Sequence, residues 1–495
     1  GLGSYVGLFA YSKGTIRDIG RIGGSIKASA GQYVGALVGE NYNGVVADAY
    51  ASVSVTSANS AGGLVGINYG TITNSFAAGA VHTSNHYAGG LVGQNPGQIL
   101  DSYATGNVTS DAGYAGGLVG MNTVGTITDA YATGMVSGSD YVGGLVGKNN
   151  GTGNNITDVY SIGYVSSSGS NVGGLIGLNN GVVTNGYWDT ETSGRSTSVG
   201  GTGLTTAQLQ GTLNFSDGGS FTSGWGTGDG LFPYIASFLP GGAMAWSGTA
   251  YDIGGATPLA GSTVTALVNG TNLGSVTTGA NGYYYFLEPT GTIAPGAAVI
   301  AYTGTGAHVD TSDDALDYDS NLSAFDIWSS TLIAPTAAST YSAAAAGDLR
   351  VEDASLIAAA TSGNTTAANL VAGLDHYGYI ASGDFTVDQP LTLSNGLYVR
   401  SAGSITVADA LTLPGANGLT LDAEGGALNI NAPISVTGAG RVVLDGFATI
   451  SPSMLGSIPI PGPSFAPGAS IDYGSIDHGG TLNIDGAEYA LLYSM

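Results

Sequence analysis

One short phrase recurs six times in the first 180 residues, at nearly constant spacing. It has the form G-(A/G)-L-(V/I)-G-x-N. Measured between its leucines, the steps are 27, 27, 27, 27 and 30 residues, at Leu37, Leu64, Leu91, Leu118, Leu145 and Leu175. A fixed period of this length is typical of stacked units that are each too small to bury a hydrophobic core alone. We therefore expect this region to fold as an array of coils.

A second landmark, an aromatic residue, follows each phrase nearly in phase with the leucines. Its copies are Tyr50, Phe76, Tyr103, Tyr131, Tyr160 and Tyr187. Between the landmarks lie short strand-like runs and turn signals such as Asn43-Gly44 and Asn150-Gly151, and helical periodicity is absent. The pattern predicts an all-β fold whose first part is a parallel β-helix of 27-residue coils, right-handed by the general rule for parallel crossovers.

Stacking coils about 4.8 Å apart aligns equivalent residues into columns. The predicted structural ladders are formed by Leu64, Leu91, Leu118 and Leu145, by Asn68, Asn95, Asn122 and Asn149, and by Tyr103 and Tyr131. Period-2 alternation along the strand then points each leucine inward and the following valine outward, although a bend within the strand would reverse this. The outward valines would form an apolar assembly stripe, namely Val65, Val92, Val119 and Val146.

Charge and composition exclude several classes of partner. The chain has 34 acidic and 9 basic residues and a net charge of −25, which argues against nucleic acid and anionic membrane surfaces. Glycine is abundant at 86 residues, yet 43% of the chain is hydrophobic, so the chain is not a disordered linker. Cysteine is absent, and no apolar run is long enough to span a membrane as a helix. Because Gly1 already lies within a repeat-like stretch, we interpret the start as a cut in a longer chain.

The repeated phrases carry a family resemblance. GGLVGxN with a following DSYATGxV resembles the GLUG repeat of large bacterial surface adhesins, and residues 186–194 and 200–209 resemble the exit segment of such arrays. The resemblance covers roughly residues 1–238. It implies a GLUG-type β-helix over 1–190 and a cap or exit segment over 191–240. We expect the aromatic-rich residues 211–235 to cover the open end of the core.

The remainder of the chain divides by composition and pattern into further units. Residues 241–335 have short alternating runs with Asn-Gly turns and resemble a carboxypeptidase-regulatory-like β-sandwich, an Ig-like fold. An Ala-rich connector with partial helix is predicted over 336–376. Residues 377–450 resemble the short β-helix of filamentous-haemagglutinin-type exoproteins. The Pro/Gly-rich tail, 451–495, ends in a strand similar to the lead-in of GLUG arrays.

No constellation for catalysis or cofactor binding is found. The acids that recur in the repeats share one column with two asparagines and read as one solvated turn position: Asp48, Asn74, Asp101, Asp129, Asp158 and Asn185. One denser acidic run is a candidate calcium site, with a solvated loop as the alternative; its members are Asp310, Asp313, Asp314, Asp317 and Asp319. Calcium is thus the single candidate cofactor.

These observations favour a non-enzymatic, extracellular structural or adhesive protein of the bacterial cell surface, with a role in biofilm. It would be a rigid β-solenoid segment of an adhesin or of a self-assembling fibre. Its partners would be copies of itself, joined head to tail or laterally, and host or matrix glycans. The alternative is a carbohydrate-binding or polysaccharide-cleaving β-helix.

Overall fold

The repeated region forms a parallel β-solenoid in the computed structural model of the chain. Equivalent strands of successive coils lie side by side in register, as shown by the pairing of Val65 with Val92 and of Val92 with Val119. The all-β prediction with a β-helix built on the repeats is confirmed. The structure describes residues 4–29, 31–151, 153, 155–221, 224–252, 257–311, 321–323, 325–335, 352–374, 376–381, 383–388, 390–392, 396–413, 419–432, 434–436, 442–450, 471–472, 481–484 and 487–490.

Four parallel sheets make up this first solenoid, whose described strands lie between residues 5 and 204. The first contains Tyr5–Val6, Tyr33–Gly35, Ser60–Gly62, Ala88–Gly89, Ala115–Gly116, Val142–Gly143 and Val172–Gly173. The second contains Phe9–Ser12, Val38–Asn41, Val65–Asn68, Val92–Asn95, Val119–Asn122, Val146–Asn149 and Ile176–Asn179. The third contains Thr15–Arg21, Val45–Ala51, Thr71–Thr73, Phe76–Ala77, Gln98–Ala104, Thr126–Ala132, Asn155–Ser161, Val182–Asp189 and Thr202–Leu204. The fourth contains Ser25–Ala28, Ser54–Ser57, Val81–Thr83, Val108–Ser110, Val136–Gly138 and Val165–Ser167.

The leucines and the valines of the repeated phrase are both buried, so the predicted outward stripe is wrong. Val65, Val92, Val119 and Val146 are each 0% exposed and pack in the same core cluster as Leu64, Leu91, Leu118 and Leu145. The reason is a bend at each Gly-Leu pair, because the second-sheet strands begin only at the valine. Alternation counted across the bend therefore assigns the valine to the wrong face.

Glycine at this bend lets neighbouring coils approach closely. A Cβ atom placed on Gly90 would overlap the carbonyl oxygen of Gly117 in the next coil. The same overlap recurs one coil earlier, between Gly63 and Gly90. The second glycine of the phrase is therefore a requirement of backbone packing between coils.

The chain leaves the first solenoid through a short capped segment. Asp189 caps the helix Thr190–Ser193, its carboxylate accepting the backbone N–H of Glu191 at 2.9 Å. A second helix, Thr206–Leu209, is closed by a capping box. Between them, Ser198 Oγ accepts the backbone N–H of Ile176 at 2.9 Å, so this stretch covers the backbone of the last coil.

The described residues between 243 and 335 form a two-sheet unit around one core. The first sheet pairs Tyr283–Pro289, Ala243–Tyr251 and Ile327–Trp328. The second begins with Thr271–Thr277, Thr263–Val268, Ala298–Tyr302 and Ala307–Thr311. Trp246 and Tyr284 of the first sheet share a buried cluster with Val264 and Val299 of the second, so the two sheets face each other.

The second sheet continues without interruption into a second, shorter solenoid. Ala307–Thr311 pairs in parallel with Thr331–Pro335, which pairs with His376–Ala381. The continuation contains Gly396–Ser401, Leu419–Ile430, Ile405–Val407, Phe385–Val387, Val442–Ile450 and Ile471–Asp472, beside a three-stranded sheet of Leu391–Thr392, Leu411–Leu413 and Ile434–Val436. The predicted boundary near residue 336 is thus bridged by backbone hydrogen bonds.

The stretch between these units carries two helices, Glu352–Ala360 and Thr365–Ala372, the second capped by Asn364. Ala360 and Ala367 pack in the core of the second solenoid. The remaining strands are two antiparallel pairs, Trp225–Gly226 with Tyr234–Ile235 and Thr481–Ile484 with Ala487–Ala490. The first helix packs on the strands Ala298–Tyr302 and Ala307–Thr311, so the helices cover the junction between the two-sheet unit and the second solenoid.

Candidate functional site

The asparagines of the repeated phrase form a continuous hydrogen-bonded ladder through the first solenoid. Each side-chain Nδ2 donates to the Oδ1 of the asparagine in the next coil at 2.8–3.0 Å, through Asn41, Asn68, Asn95, Asn122, Asn149 and Asn179. The amides of Asn41, Asn68, Asn95, Asn122 and Asn179 also donate to a carbonyl in their own turn, as from Asn68 to Gly70 at 3.2 Å. Since Asn68 and Asn95 are 0% exposed, the ladder fixes coil register in the interior.

The tyrosine ladder lies on the outer face of the third sheet. Ring centroids of Phe76, Tyr103, Tyr131 and Tyr160 are 4.8–5.2 Å apart, with interplanar angles of 1°, 1° and 10°. Tyr131 and Tyr160 are nearly fully buried, and burial raises the pKa of both hydroxyls well above its usual value. We call Tyr50, Phe76, Tyr103, Tyr131, Tyr160 and Tyr187 the tyrosine column.

The described residues 211–221 and 224–239 fold back along this column and cover it, and we call them the strap. Phe221 packs on Tyr187 and Tyr160, Trp225 on Tyr160 and Tyr131, and Phe238 on Tyr103 and Phe76. The expectation that residues 211–235 cover the open end of the core is therefore wrong. The strap runs lengthwise over the outside of five coils because an outward stack of aromatic rings needs its own cover.

Polar contacts fix the strap beside the same column. Trp225 Nε1 donates to Asp129 Oδ1 at 2.7 Å. Further along, Ser237 Oγ donates to Asn74 Oδ1 at 2.7 Å, and Asn185 Nδ2 donates to the carbonyl of Ser220 at 3.1 Å. The strap thus bonds to the first-solenoid column that sequence reasoning treated as a solvated turn.

That column owes its composition to backbone conformation. Its members lie in the left-handed region with φ between 43° and 53°, and they are Asp18, Asp48, Asn74, Asp101, Asp129, Asp158 and Asn185. Asp and Asn tolerate this conformation better than other non-glycine residues. Adjacent members also bond where an amide meets a carboxylate, as from Asn185 Nδ2 to Asp158 Oδ1 at 2.7 Å.

Three other carboxyl groups are unusually buried. Burial raises the pKa of Asp189 to about 6, although bonds from Thr206, Thr192 and Glu191 oppose the shift. Burial also raises the pKa of Asp326 to about 6 and that of Glu288 to about 7. Asp189 caps a helix and Asp326 accepts the backbone N–H of Thr249 at 2.8 Å, so both have structural partners.

The proposed calcium run is almost entirely outside the described residues. Asp310 lies in the strand Ala307–Thr311, whereas Asp313, Asp314, Asp317 and Asp319 are not described. Within the described part of the chain, no group of three or more His, Cys, Asp or Glu residues could hold a metal ion. The calcium hypothesis therefore stays a prediction.

The two-sheet unit is docked against the side of the first solenoid. Asn107 Nδ2 donates to Thr277 Oγ1 at 2.7 Å, and the backbone N–H of Ala280 donates to the carbonyl of Thr192 at 2.7 Å. Phe232 of the strap contacts Tyr285 edge-on at 4.9 Å between ring centroids. The strap is therefore enclosed between the first solenoid and the two-sheet unit.

Sequence reasoning missed the role of the strap, although a signal was present. Its aromatic residues Phe221, Trp225 and Phe238 have no place in the repeat period, while the outward tyrosine column needs covering. Aromatic residues outside the repeat, together with an outward column of rings that needs a cover, are the signal that could have predicted this contact. A second aromatic surface, on the outside of the first and second sheets, was also overlooked.

Comparison with known proteins identifies the repeat. Residues 30–56 and 84–109 match the GLUG motif. No curated protein and no solved structure gives a significant match. Together with the solenoid, the matched segments fit a β-helical protein built from GLUG-type repeats. Among the described residues, no helix has the length and apolar character required to cross a membrane.

Proposed function

We propose that the chain is a non-enzymatic structural segment of a bacterial surface adhesin, serving as a stiff spacer that carries adhesive contacts to host or matrix glycans in biofilm. The observation that carries the proposal is the unbroken asparagine ladder, since a side-chain bond at every coil resists slippage between coils. The tyrosine column adds about 0.5–1.5 kcal/mol for each stacked pair.

An extracellular location is supported by composition and by the repeat. The chain has no cysteine, so its stability depends neither on disulfides nor on a reducing compartment. The GLUG-type repeat is the resemblance that points to the bacterial cell surface. Fractionation of cells producing the full protein tests this: label at the outer surface supports the proposal, and retention in the cytosol contradicts it.

A spacer role predicts that coils are interchangeable in number. Duplicating residues 34–60 inserts one 27-residue period at the matched position Val34 and Ala61, which pair in the structure. The longer chain should fold with the same far-UV spectrum and support attachment of bacteria that display it. A matched control, duplication of residues 34–46, breaks the period and should unfold the array. A folded one-coil variant that no longer supports attachment would contradict the spacer role.

The non-enzymatic part of the proposal is supported by the use of the acids. Asp129 accepts a hydrogen bond from Trp225 of the strap, and Asp158 accepts one from Asn185 in the next coil. These carboxylates therefore hold the strap and link neighbouring coils. Incubation with acidic and neutral polysaccharides should release neither reducing ends nor unsaturated products. Product formation that disappears in the Asp129→Asn variant would establish the alternative, a polysaccharide-cleaving β-helix.

Head-to-tail assembly is the second part of the proposal. Parallel coils grow by backbone pairing, and among the described residues the strands Tyr5–Val6 and Phe9–Ser12 pair on one side only. Another coil, from the same chain or from a copy, fits that edge. Light scattering and electron microscopy should show fibres that vanish when residues 471–495 are deleted. A monodisperse monomer at high concentration would contradict this part alone.

Calcium is retained as a proposal for the run that begins at Asp310. Bound calcium would raise the melting temperature through the free energy of binding to the folded state. Thermal melts with calcium and with a chelator should then differ, and replacement of Asp313, Asp314 and Asp317 by Asn should abolish the difference. Identical melting temperatures with calcium and with the chelator would contradict calcium binding.

A further inference from the structure

A second aromatic surface lies on the outside of the first and second sheets. Neighbouring rings are linked by centroid distances of 4.5–6.4 Å, from Tyr69 through Tyr42, Tyr11 and Tyr5 to Tyr33, and from Tyr87 through Tyr114 to Tyr141. The two groups flank Ser60 in the first sheet, because Tyr33 pairs with Ser60, and Ala88, which follows Tyr87, pairs with Ala61. We call these eight residues the tyrosine face.

The tyrosine face is exposed to solvent, whereas the tyrosine column is covered by the strap. The strap buries Tyr131 and Tyr160 to 5% and 1% exposure, whereas Tyr11, Tyr42 and Tyr69 are 44%, 40% and 44% exposed. The other rings of the face are half-buried. Singly exposed aromatics need no explanation, but a contiguous set along six coils marks an interaction surface.

Contacts within the chain show which kind of group packs on this face. Of its three lysines, two place their ammonium groups over pairs of rings of the face. Lys13 Nζ lies 5.8 Å and 5.2 Å from the ring centroids of Tyr11 and Tyr42. Lys148 Nζ lies 5.5 Å from those of both Tyr114 and Tyr141. These are cation–π distances, so each end of the face already holds a lysine.

The middle of the face has rings without such a lysine. Tyr33, Tyr69 and Tyr87 make no cation–ring contact among the described residues. Glu40, 5% exposed, lies between Tyr11 and Ile67 in the second sheet, and the proximity of its carboxyl group raises the pKa of Tyr5 to about 12. A buried carboxylate and the electron-rich ring faces both favour a cation at this place.

We propose that the middle of the tyrosine face binds a lysine-rich segment of a partner protein, with lysine ammonium groups over Tyr33, Tyr69 and Tyr87. The segment adopts the ring contacts that Lys13 and Lys148 make in the chain. Charge complementarity favours the same partner, since a chain of net charge −25 attracts a cationic segment and steers its approach. This binding is independent of the spacer proposal, because a spacer needs no such ligand.

The probe is a peptide of alternating lysine and serine, compared with the same peptide acetylated on every lysine. Fluorescence anisotropy at two salt concentrations measures binding to the full chain and to Tyr69→Leu, Tyr87→Leu and the double variant. These changes leave the net charge untouched. Tyr69→Phe is the matched control, because it keeps the ring and loses only the hydroxyl.

We expect each leucine variant to weaken binding about two- to fivefold, the phenylalanine variant to bind as the unchanged chain does, and the acetylated peptide to bind far more weakly. Equal binding by the leucine variants would show long-range charge attraction alone and overturn the proposal. Equal binding of the acetylated peptide would overturn it too. So would tyrosine-dependent binding of a neutral oligosaccharide together with failure of the lysine peptide, which would mark a sugar platform.

Discussion

Replacing Asn68 by alanine removes one rung from the middle of the asparagine ladder. Asn95 Oδ1 then loses the donor that lies 2.9 Å away, and Asn41 Nδ2 loses its acceptor at 2.8 Å but keeps the carbonyl of Gly44 at 3.2 Å. A buried acceptor left without its donor costs about 1–3 kcal/mol, and a donor with another acceptor costs about 0.5–1 kcal/mol. The free energy of unfolding should therefore fall by about 2–4 kcal/mol.

Two further variants separate the ladder from simple loss of side-chain volume. Asn68→Asp keeps the acceptor for Asn41 but places a buried carboxylate against Asn95 Oδ1, so it should destabilise the chain more than alanine does. Asn179→Ala is the matched control at the partly exposed last rung, where Asn149 donates at 2.8 Å. Because water can replace this partner, the cost there should be at most about 1 kcal/mol.

Urea unfolding followed by far-UV circular dichroism measures these differences as shifts of the midpoint at constant slope. Hydrogen exchange of the peptide spanning residues 60–75 reports opening of the coil that contains the variant. If Asn68→Ala costs no more than Asn179→Ala, the ladder does not hold the register. An aspartate variant as stable as the unchanged chain would likewise refute the reasoning.

Four further outcomes are expected. Ser12→Asn should raise the free energy of unfolding by about 1 kcal/mol and shift the urea midpoint upward. Ser12 pairs with Asn41, whose buried Oδ1 has no hydrogen-bond partner among the described residues, and the new amide would donate to it. An unchanged midpoint would contradict this. Gly90→Ala should lower the unfolding free energy by about 1–3 kcal/mol, since its Cβ would overlap the Gly117 carbonyl, whereas Ala61→Gly, in the same array, should cost less. Phe238→Ala should increase quenching of tyrosine fluorescence by acrylamide through exposure of Phe76 and Tyr103, and unchanged quenching would argue against the strap as cover. Burial raises the pKa of Asp189 from 3.8 to about 6 and that of Glu288 from 4.5 to about 7, so stability that is fully present below the ordinary values is lost as pH rises from about 4 to about 7. The urea midpoint should fall across this window and level off above it, and the fall should be smaller in Glu288→Gln.

The repeat period was sufficient to predict the first solenoid and its columns. A residue such as Asn95, which recurs as asparagine in six successive repeats and is followed by a turn, has one explanation in a stack of parallel coils. The valines were misplaced because alternation holds only within a strand, and the bend before Val92 is invisible to a count of residues. The column of Asp129 was interpreted from its Asp and Asn members as a solvated turn position, whereas its left-handed backbone and its bonds to the strap appear only in the structure.

The strap, and the sheet that continues from the two-sheet unit into the second solenoid, were harder to predict for a different reason. Both depend on contacts between residues far apart in sequence, such as Trp225 with Asp129, or Ala307 with Leu332 across an irregular segment. Period and composition constrain neighbours in a stack, whereas they contain little information about which outer face a non-repeating segment covers. The packing of side chains from both segments decides which face is covered, and this packing is a property of the folded chain.

The strap also changes how the array resists unfolding. In a solenoid each coil contacts only its neighbours, so a coil can open with the loss of two interfaces. The strap bonds to Asn185 at one end and to Asn74 at the other, crossing five coils, and Trp225 binds midway at Asp129. Opening any coil beneath it therefore disturbs contacts with the strap and with the two-sheet unit that encloses it. Local opening is coupled to a longer segment in this way, and such coupling favours the proposed role as a spacer that bears force along its axis.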